Sequence, residues 1–289
     1  MKKIKIVSPA KAIAQSKIDN AVQFLSGAGF EVSVSEHASG KFHYFSATDD
    51  VRLTEFQSAL DDFEIDVILC SRGGYGTVRI IDKLDFSKFE KSPKLILGFS
   101  DVTVFHNHIH RNFGLPTVHC SVPLNFEDNS EEAMNSMVNV LNGKPNEYIL
   151  PSHRFNRSGT AEAVVVGGNL SILASLIGTN SDIDTAGKIL LIEDIGEPVY
   201  KIDRMLWSLK KSGKLNKLAG LIVGGMTDMK DSDPPFGKSV EEVIVDIVSE
   251  FDYPVCFDFP AGHIDDNRGV VLGRMAKLVV GEEVEFLQE

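Results

Sequence analysis

The chain contains 289 residues, which is enough for a large single core or for two domains of ordinary size. Hydrophobic residues make up 43% and charged residues 24%, so disordered, collagen-like and low-complexity classes are excluded. The formal net charge is −12, and because an acidic protein repels phosphate backbones, we expect no nucleic-acid partner.

The N-terminal residues and the cysteines indicate the compartment. The first apolar run is interrupted by Lys5 and ended by Pro9, which is too early for the apolar region of a signal peptide. No window approaches the ~18 apolar residues needed to cross a membrane. Cys70, Cys120 and Cys256 lie far apart in apolar runs, without a CxxC motif. We therefore expect a soluble, cytoplasmic protein with reduced cysteines and no membrane partner.

The first half of the chain alternates short β-rich runs with longer helical patterns. The predicted strands span 4–8, 31–35, 66–70, 94–97 and 117–121, and the predicted helices span 16–29, 49–63 and 102–112. Single helices between successive strands imply an α/β fold, with a mostly parallel sheet covered by helices on both faces. Because ligands of such sheets lie beyond the carboxyl ends of the strands, the loops after Cys70 and Leu97 are expected to carry the chemistry.

The pattern changes between about residues 126 and 159. This stretch contains one helix that opens at a polar run, then a turn, then an aperiodic segment. Beyond it, strands are predicted at 161–166, 189–192, 221–223, 255–257 and 270–272, with a helix at 200–211 and a terminal hairpin at 278–286. We therefore predict two domains, residues 1–125 and 160–289, joined by a helix and linker at 126–159.

Ser100 lies where a predicted strand runs directly into a helix. A sharp strand-to-helix turn aims the serine side chain outward, beside the first N–H groups of the helix, as in the nucleophile elbow of hydrolases. The match to the G-x-S-x-G motif is partial, because Val102 replaces the second glycine. The alternative is that Ser100 or Asp101 is only the N-cap of the helix.

A glycine-rich loop, Arg72–Gly76, follows the third predicted strand. Three glycines in four residues allow positive φ angles and present bare N–H groups to an anion or a partially negative atom. The loop is neither a GxGxxG fingerprint nor a P-loop, and it suits a phosphate, a carboxylate or an oxyanion equally. A plain tight turn is the alternative.

Two further loops contain a candidate acid and a candidate base. Glu193 ends a buried apolar run, where a carboxylate needs a cationic or N–H partner, unless the acidic residues there only cap the next helix. His263 follows Gly262 in an aperiodic loop. His106 and His110 lie one helical turn apart, but no carboxylate or cysteine completes a metal site near them, so we predict that they pack or lie on a solvated face.

Ser100, Glu193 and His263 would together supply a nucleophile, an acid and a base for acyl transfer. The imidazole would take the serine proton, and the carboxylate would hold the imidazole. Chain order alone does not show that these three loops meet. A non-catalytic binding module, with the glycine-rich loop around a phosphate or carboxylate, therefore stays open.

In this order, the motifs resemble those of the LD-carboxypeptidase family of serine peptidases, which also contains the microcin-immunity peptidases. The resemblance runs nearly from end to end and rests on residues 6–10, 72–76, 98–101, 166–171, 178–179, 193–204 and 262–273. It implies a Rossmann-like N-terminal domain and a C-terminal, β-barrel-like mixed α/β domain, with the site at their interface.

By the same resemblance, Ser100 is the nucleophile, His263 the general base and Glu193 the residue that orients the imidazole. The backbone N–H groups of Asp101 and of the turn Gly73-Gly74 form the oxyanion hole. No metal or cofactor is needed, and a homodimer is expected. The implied substrates are murein tetrapeptides, cut at the L,D-bond to the terminal D-alanine during cell-wall recycling.

Two motifs depart from the family pattern. In one, which is a minor difference, Val270-Val271 stand before Leu272-Gly273 where proline is common. The family often has His-Gly-Pro near the end of the first domain, and this chain has His119-Cys120-Ser121, so we expect a different pocket wall.

The alternative within the same chemistry is an immunity-type peptidase that acts on an aminoacyl-nucleotide linkage. Stacking of a nucleobase would need aromatic residues at the domain interface. Trp207 is the one tryptophan, and it occupies an apolar position in a predicted helix, which favours a murein peptide.

Overall fold

Two β-sheets organise residues 1–288, the part of the chain that the computed structural model describes. The strands are β1 Lys3–Val7, β2 Glu31–Val34, β3 Val67–Cys70, β4 Leu95–Gly98, β5 Thr117–His119, β6 Asn146–Pro151, β7 Gly159–Asn169, β8 Ile189–Ile195, β9 Gly220–Thr227, β10 Val255–Cys256, β11 Val270–Leu272, β12 Met275–Val280 and β13 Glu283–Gln288. The helices are α1 Gln15–Gly27, α2 Asp49–Asp61, α3 Ser87–Lys91, α4 Thr103–Phe113, α5 Glu131–Leu141, α6 Leu170–Ser175, α7 Val199–Lys211 and α8 Val240–Ile247. None of these helices has both the length and the apolar surface that crossing a bilayer requires.

The first sheet has the strand order β11-β5-β4-β3-β1-β2. Strands β1 to β5 pair in parallel, which confirms the predicted mostly parallel sheet. Strand β11 joins the edge antiparallel to β5, with Val270 opposite His119. A strand from late in the chain therefore completes the sheet that early strands begin.

Side chains of the central strands are buried on both faces of this sheet. Val67 and Leu69 of β3 pack in one apolar cluster with α1 and α5, whereas Ile68 and Cys70 pack in another with α2 and α4. Burial on both faces explains why β3 is entirely apolar, as in other parallel sheets covered by helices. Polar, reactive side chains are therefore left to the loops at the strand ends.

The second sheet has the strand order β10-β9-β8-β7-β12-β13-β6. Strands β7 to β10 are parallel, and β12, β13 and β6 are antiparallel, so the sheet is mixed, as predicted. Within residues 1–288 its edge strands do not pair with each other. They are linked only by an isolated bridge between Arg157, which follows β6, and Val255 of β10. The sheet is therefore not a closed barrel.

Residues 126–159, predicted as a helix and linker, pack against the first sheet and add a strand to the second. Helix α5 places Met134 and Met137 in the core beneath the first sheet, whereas β6 forms an edge of the second. The sheets are also connected through a hydrogen bond, because Asn169 N at the end of β7 donates to Thr103 Oγ1 of α4 at 3.0 Å. The domain boundaries given above stay a prediction.

Candidate active site

Ser100 occupies the turn between β4 and α4. Its φ of 64° lies in the left-handed region, which residues other than glycine rarely adopt. Such strain persists only where the surrounding structure holds it, and it is concentrated at functional sites. Helix α4 begins at Thr103 after Val102, without any side-chain capping hydrogen bond. The interpretation of Ser100 or Asp101 as a simple helix cap is therefore wrong.

His263 and Glu193 meet at Ser100 across a large sequence separation. His263 Nε2 lies 3.1 Å from Ser100 Oγ, and His263 Nδ1 lies 2.6 Å from Glu193 Oε2. With the imidazole proton on Nδ1, the serine hydroxyl donates to Nε2 and Nδ1–H donates to the carboxylate. These three residues, called the triad below, have the contacts that activate a serine for acyl transfer.

Both sheets contribute to the triad. Ser100 follows β4 of the first sheet, whereas Glu193 belongs to β8 of the second and His263 lies in the loop after β10. The structure thus brings together the three residues that the sequence analysis selected from separate loops.

Neighbouring groups fix the position of His263. Thr227 Oγ1 donates to the His263 carbonyl at 2.8 Å, and the ring of Phe99 packs edge-on with 4.8 Å between centroids. Gly262 N donates to Asn267 Oδ1 at 2.8 Å, which holds the loop that carries the imidazole.

Gly262 also lets Glu193 reach the imidazole. Its φ is 104°, and a Cβ at this position would lie 2.5 Å from Glu193 Oε2. Any larger residue would displace the carboxylate from His263, so this loop position requires glycine.

The environment makes His263 a stronger base. Burial, the largest single effect, would lower the pKa of His263, but the charge of Glu193 and its hydrogen bond, with a smaller effect of Asp194, together raise it above the ordinary 6.5. A general base works best when its pKa lies close to the operating pH. The imidazole is therefore suited to accept a serine proton near neutral pH.

The acidic residues that follow the apolar run of β8 have separate partners. Glu193 is fully buried and contacts the imidazole. Asp194 accepts from Ser171 N and Oγ at 2.9 and 2.7 Å at the start of α6, and burial raises its pKa. Glu197 pairs with Lys201 at 3.3 Å. Helix capping therefore does not explain Glu193.

The glycine-rich loop lies against Ser100. A Cβ at Gly73 would be 2.8 Å from Ser100 Cβ and 3.1 Å from Asp101 N, so the loop can approach this closely only with glycine. Thr77 ties the loop to the turn, since its N donates to Asp101 Oδ2 at 2.9 Å and its Oγ1 donates to Asp101 O at 2.7 Å. Burial raises the pKa of the Asp101 carboxyl. The predicted oxyanion-hole residues thus adjoin Ser100, and their role as donors stays a prediction.

A cavity of about 340 Å³ opens beside the triad. Its lining comes from both halves of the chain and consists of Arg72, Gly73, Gly74, Phe99, Ser100, Val122, Leu124, Asn125, Ile195, Gly262, His263, Ile264 and Asp265. The volume suits a small ligand or a short peptide segment. Arg72 and Asp265 are its charged side chains besides the histidine.

His119 lies behind the cavity rather than in its wall. It is fully buried with the two residues that follow it, and its ring is 5.8 Å from that of Phe99. Burial, with the charge of His263, lowers the pKa of His119 to about 3. Val122 and its neighbours form the wall instead, so the departure from the family motif does not reach the cavity surface.

His106 is a packed residue. Its Nε2 donates to the Gly98 carbonyl at 2.9 Å, and burial lowers its pKa to about 3. Among residues 1–288 there is no group of three or more His, Cys, Asp or Glu placed to hold a metal ion.

Sequence reasoning missed Thr227 and considered Asp194 only as a helix cap and as part of the family motif. Thr227, which bonds the His263 carbonyl, is the last residue of β9, and Asp194 anchors the end of β8 to α6. Both are polar residues at the carboxyl end of a buried parallel strand. That position was the available signal, because such strand ends face the ligand site.

Two family models match the chain. One describes the LD-carboxypeptidase N-terminal domain and matches residues 4–120; the other describes the LD-carboxypeptidase C-terminal domain and matches residues 162–278. The chain belongs to the LD-carboxypeptidase family. The resemblance noted from the motifs is thereby confirmed, and the protein is an enzyme of the carboxypeptidase class.

Relatives of known name are similar over nearly the whole chain. The probable murein peptide carboxypeptidase of Bacillus subtilis is 33% identical over 288 residues, covering 98% of this chain and 90% of that protein. The murein tetrapeptide carboxypeptidase of Pseudomonas aeruginosa is 30% identical over 288 residues, covering 96% and 92%.

Two solved structures have the same fold. The muramoyltetrapeptide carboxypeptidase of Oxalobacter formigenes superimposes with a TM-score of 0.90 at 28% identity, over 99% of this chain and 98% of that one. MccF in complex with glutamyl sulfamoyl guanosine has a TM-score of 0.89 at 21% identity, over 100% and 96%, and shows similarity of fold alone.

Proposed function

We propose that this enzyme is a murein tetrapeptide carboxypeptidase that hydrolyses the L,D-bond to the terminal D-alanine. The observation that carries the proposal is the continuous hydrogen-bonded chain from Ser100 through His263 to Glu193 at the edge of the cavity. Relatives at 30% identity or more are named for murein peptides, which supports the choice of substrate.

Ser100 acts as the nucleophile in this proposal. Its Oγ attacks the scissile carbonyl carbon while its proton moves to His263 Nε2, and the N–H groups of Asp101 and the Gly73-Gly74 turn stabilise the oxyanion. His263 then gives the proton to the D-alanine nitrogen, the C–N bond breaks, and an acyl-enzyme is left.

Water completes the reaction by the same path. One proton of the water goes to His263 while its oxygen bonds to the acyl carbon. The bond to Ser100 breaks, the serine recovers its proton, and the shortened peptide leaves. Glu193 holds the imidazole in the tautomer that both steps need and stabilises its charged form.

Cell-wall recycling as the role, a cytoplasmic location and assembly as a homodimer belong to the same proposal. They rest on the resemblance to the family.

An immunity-type peptidase is the second candidate, because MccF shares the fold. Among the cavity-lining residues, Phe99 is the one aromatic side chain besides His263, and it already packs against that imidazole. Trp207 lies exposed on α7 and is not part of the cavity lining. The cavity therefore offers little for a nucleobase to stack on, which favours the peptide substrate.

Product analysis of two substrates separates these functions. The native enzyme is incubated with an L-Ala-D-Glu-diaminopimelate-D-Ala tetrapeptide and, separately, with a glutamyl sulfamoyl adenosine, and the products are measured by mass spectrometry. We expect loss of one alanine from the tetrapeptide and an intact nucleotide compound. Cleavage of the nucleotide compound alone would reverse the assignment, and cleavage of neither would favour a binding module.

A further inference from the structure

Arg72 is a charged residue of the cavity that the triad chemistry does not use. Its guanidinium is half-buried, and none of the ion pairs among residues 1–288 includes it. Burial lowers its pKa, an effect only partly opposed by the charge of Tyr44. A partly desolvated cation without a carboxylate partner is unfavourable, and an anion bound beside it would offset that cost.

Two backbone carbonyl groups fix the guanidinium at the cavity that opens beside the triad. Arg72 Nη1 donates to the Ala12 carbonyl at 3.0 Å, and its Nε donates to the Gly73 carbonyl at 3.3 Å. Gly73 is in contact with Ser100, since a Cβ there would lie 2.8 Å from Ser100 Cβ. No hydrogen bond within residues 1–288 uses Nη2 of Arg72, so a donor remains for a ligand.

Other charges near the cavity do not replace Arg72. Neither lysine nor a second arginine lines the cavity among the described residues. The ammonium of Lys11 sits over the ring of Tyr44, 4.9 Å from its centroid. Asp265 is exposed and makes no ion pair with Arg72 at the cavity. Arg72 is therefore the group through which the cavity would attract an anion.

We propose that Arg72 binds the terminal carboxylate of the substrate and so restricts the enzyme to the last peptide bond. This inference rests on the proposed function. The carboxylate belongs to the residue directly after the scissile bond, and successive Cα atoms are about 3.8 Å apart. A group that binds it must therefore lie close to Ser100. Arg72 lines the same cavity as Ser100 and precedes Gly73, which contacts Ser100. A planar guanidinium with several donors is the side chain best suited to a carboxylate.

Binding by the Ser100→Ala variant tests this role without turnover. Isothermal titration calorimetry compares the tetrapeptide that ends in D-alanine with the same peptide ending in D-alaninamide, which lacks the negative charge. We expect the acid to bind about tenfold to a hundredfold more tightly, the effect of a hydrogen bond to a charged group. Adding Arg72→Gln should weaken the acid alone and abolish the preference.

Two further variants make the comparison specific. Arg79→Gln removes the same charge from the segment that follows the glycine-rich loop, where Arg79 pairs with Asp49, and should leave the preference intact. Arg72→Lys keeps the charge but loses the planar arrangement of donors, and should keep part of the preference.

Three results would overturn the inference. They are equal weakening of both peptides by Arg72→Gln, a preference that survives this change, and failure of Ser100→Ala to bind either peptide. Turnover by the native enzyme is measured separately. Cleavage of the tetrapeptide together with an unchanged preference in Arg72→Gln would keep the proposed function and remove the role of Arg72. A preference that depends on Arg72, without cleavage of the tetrapeptide, would keep the role of Arg72 in binding the carboxylate and remove the proposed function.

Discussion

The imidazole of His263 contacts both Glu193 and Ser100, and these two residues favour different protonation states of the ring. Glu193 favours the charged imidazole, whereas Ser100 can lose its proton only to the neutral one. Burial lowers the pKa of His263, but the charge and hydrogen bond of Glu193, with a smaller effect of Asp194, together raise it. His119, close behind, stays neutral near pH 7 because burial holds its pKa at about 3. The site therefore titrates through a single histidine.

The pH dependence of kcat/KM follows from this balance. Because the neutral imidazole is the active form in the proposed mechanism, kcat/KM should rise with pH through an inflection above 6.5, the ordinary value from which the pKa of His263 is raised. In Glu193→Gln the charge that raises the pKa is gone and burial remains, so the inflection should move to lower pH. The same change should reduce kcat by about three to four decades, as in other triads that lose their acid.

Steady-state kinetics across pH measure the inflection in kcat/KM, its shift in Glu193→Gln and the loss of kcat. Glu197→Gln is the matched control, because Glu197 pairs with Lys201 and does not touch the imidazole. An inflection that stays in place in Glu193→Gln would show that this carboxylate does not set the basicity of His263.

At the scale of elements, the site depends on loops that can approach one another closely. The turn after β4 is tied to the glycine-rich loop through Thr77, and the loop after β10 lies against β8 at Gly262. Each of these close approaches occurs at a glycine, Gly73 in the first and Gly262 in the second. The triad geometry is therefore set by loop packing as much as by the sheets.

Gly262→Ala should break the contact between Glu193 and His263. The added Cβ would lie 2.5 Å from Glu193 Oε2, so either the carboxylate or the loop must shift. We expect kcat to fall at least about a hundredfold, because a misplaced catalytic group of about 1 Å has that effect. Overpacking should also lower the free energy of unfolding by about 1–3 kcal/mol.

Gly178→Ala is the matched control for backbone strain. Gly178 also has a positive φ, 80°, but no atom of the other described residues lies within 4 Å of the position a Cβ would take. It should lose stability through strain alone and keep its activity. If Gly262→Ala retained full kcat, the close contact with Glu193 would be irrelevant to the reaction.

At the scale of the whole molecule, local patterns predicted most of the parallel sheet. Strands β1 to β5 alternate with helical patterns, and their boundaries agree with the prediction within a few residues. The apolar runs of β3 and β4 are the clearest signal, because both strands are buried. Strand β6 was missed, since its exposed residues alternate with buried ones inside a turn-rich segment. Helix α8 was also missed, although Ser239 and Glu242 form a capping box at its start.

The parts of the fold that local patterns did not predict depend on pairing between distant parts of the chain. Nothing near Val270–Leu272 indicates that this strand adds to the first sheet beside β5, because the pairing joins distant parts of the chain. The same limit applies to the site. Residue types and strand ends selected Ser100, Glu193 and His263, but their contacts arise from the packing of the two sheets. The proposed role of Arg72 could be inferred only from its burial and from the absence of an ion-pair partner among residues 1–288.

Release of D-alanine is the most direct test of the central claim that Ser100 cleaves a murein tetrapeptide. The tetrapeptide is incubated with the native enzyme, with Ser100→Ala, and with Ser175→Ala, a control at an exposed serine of α6. Mass spectrometry should show loss of one alanine with the native enzyme and the control, and a rate at least about a thousandfold lower with Ser100→Ala. The melting temperature of Ser100→Ala should stay near that of the native enzyme. An intact tetrapeptide after incubation with the native enzyme, or full activity of a folded Ser100→Ala, would contradict the account.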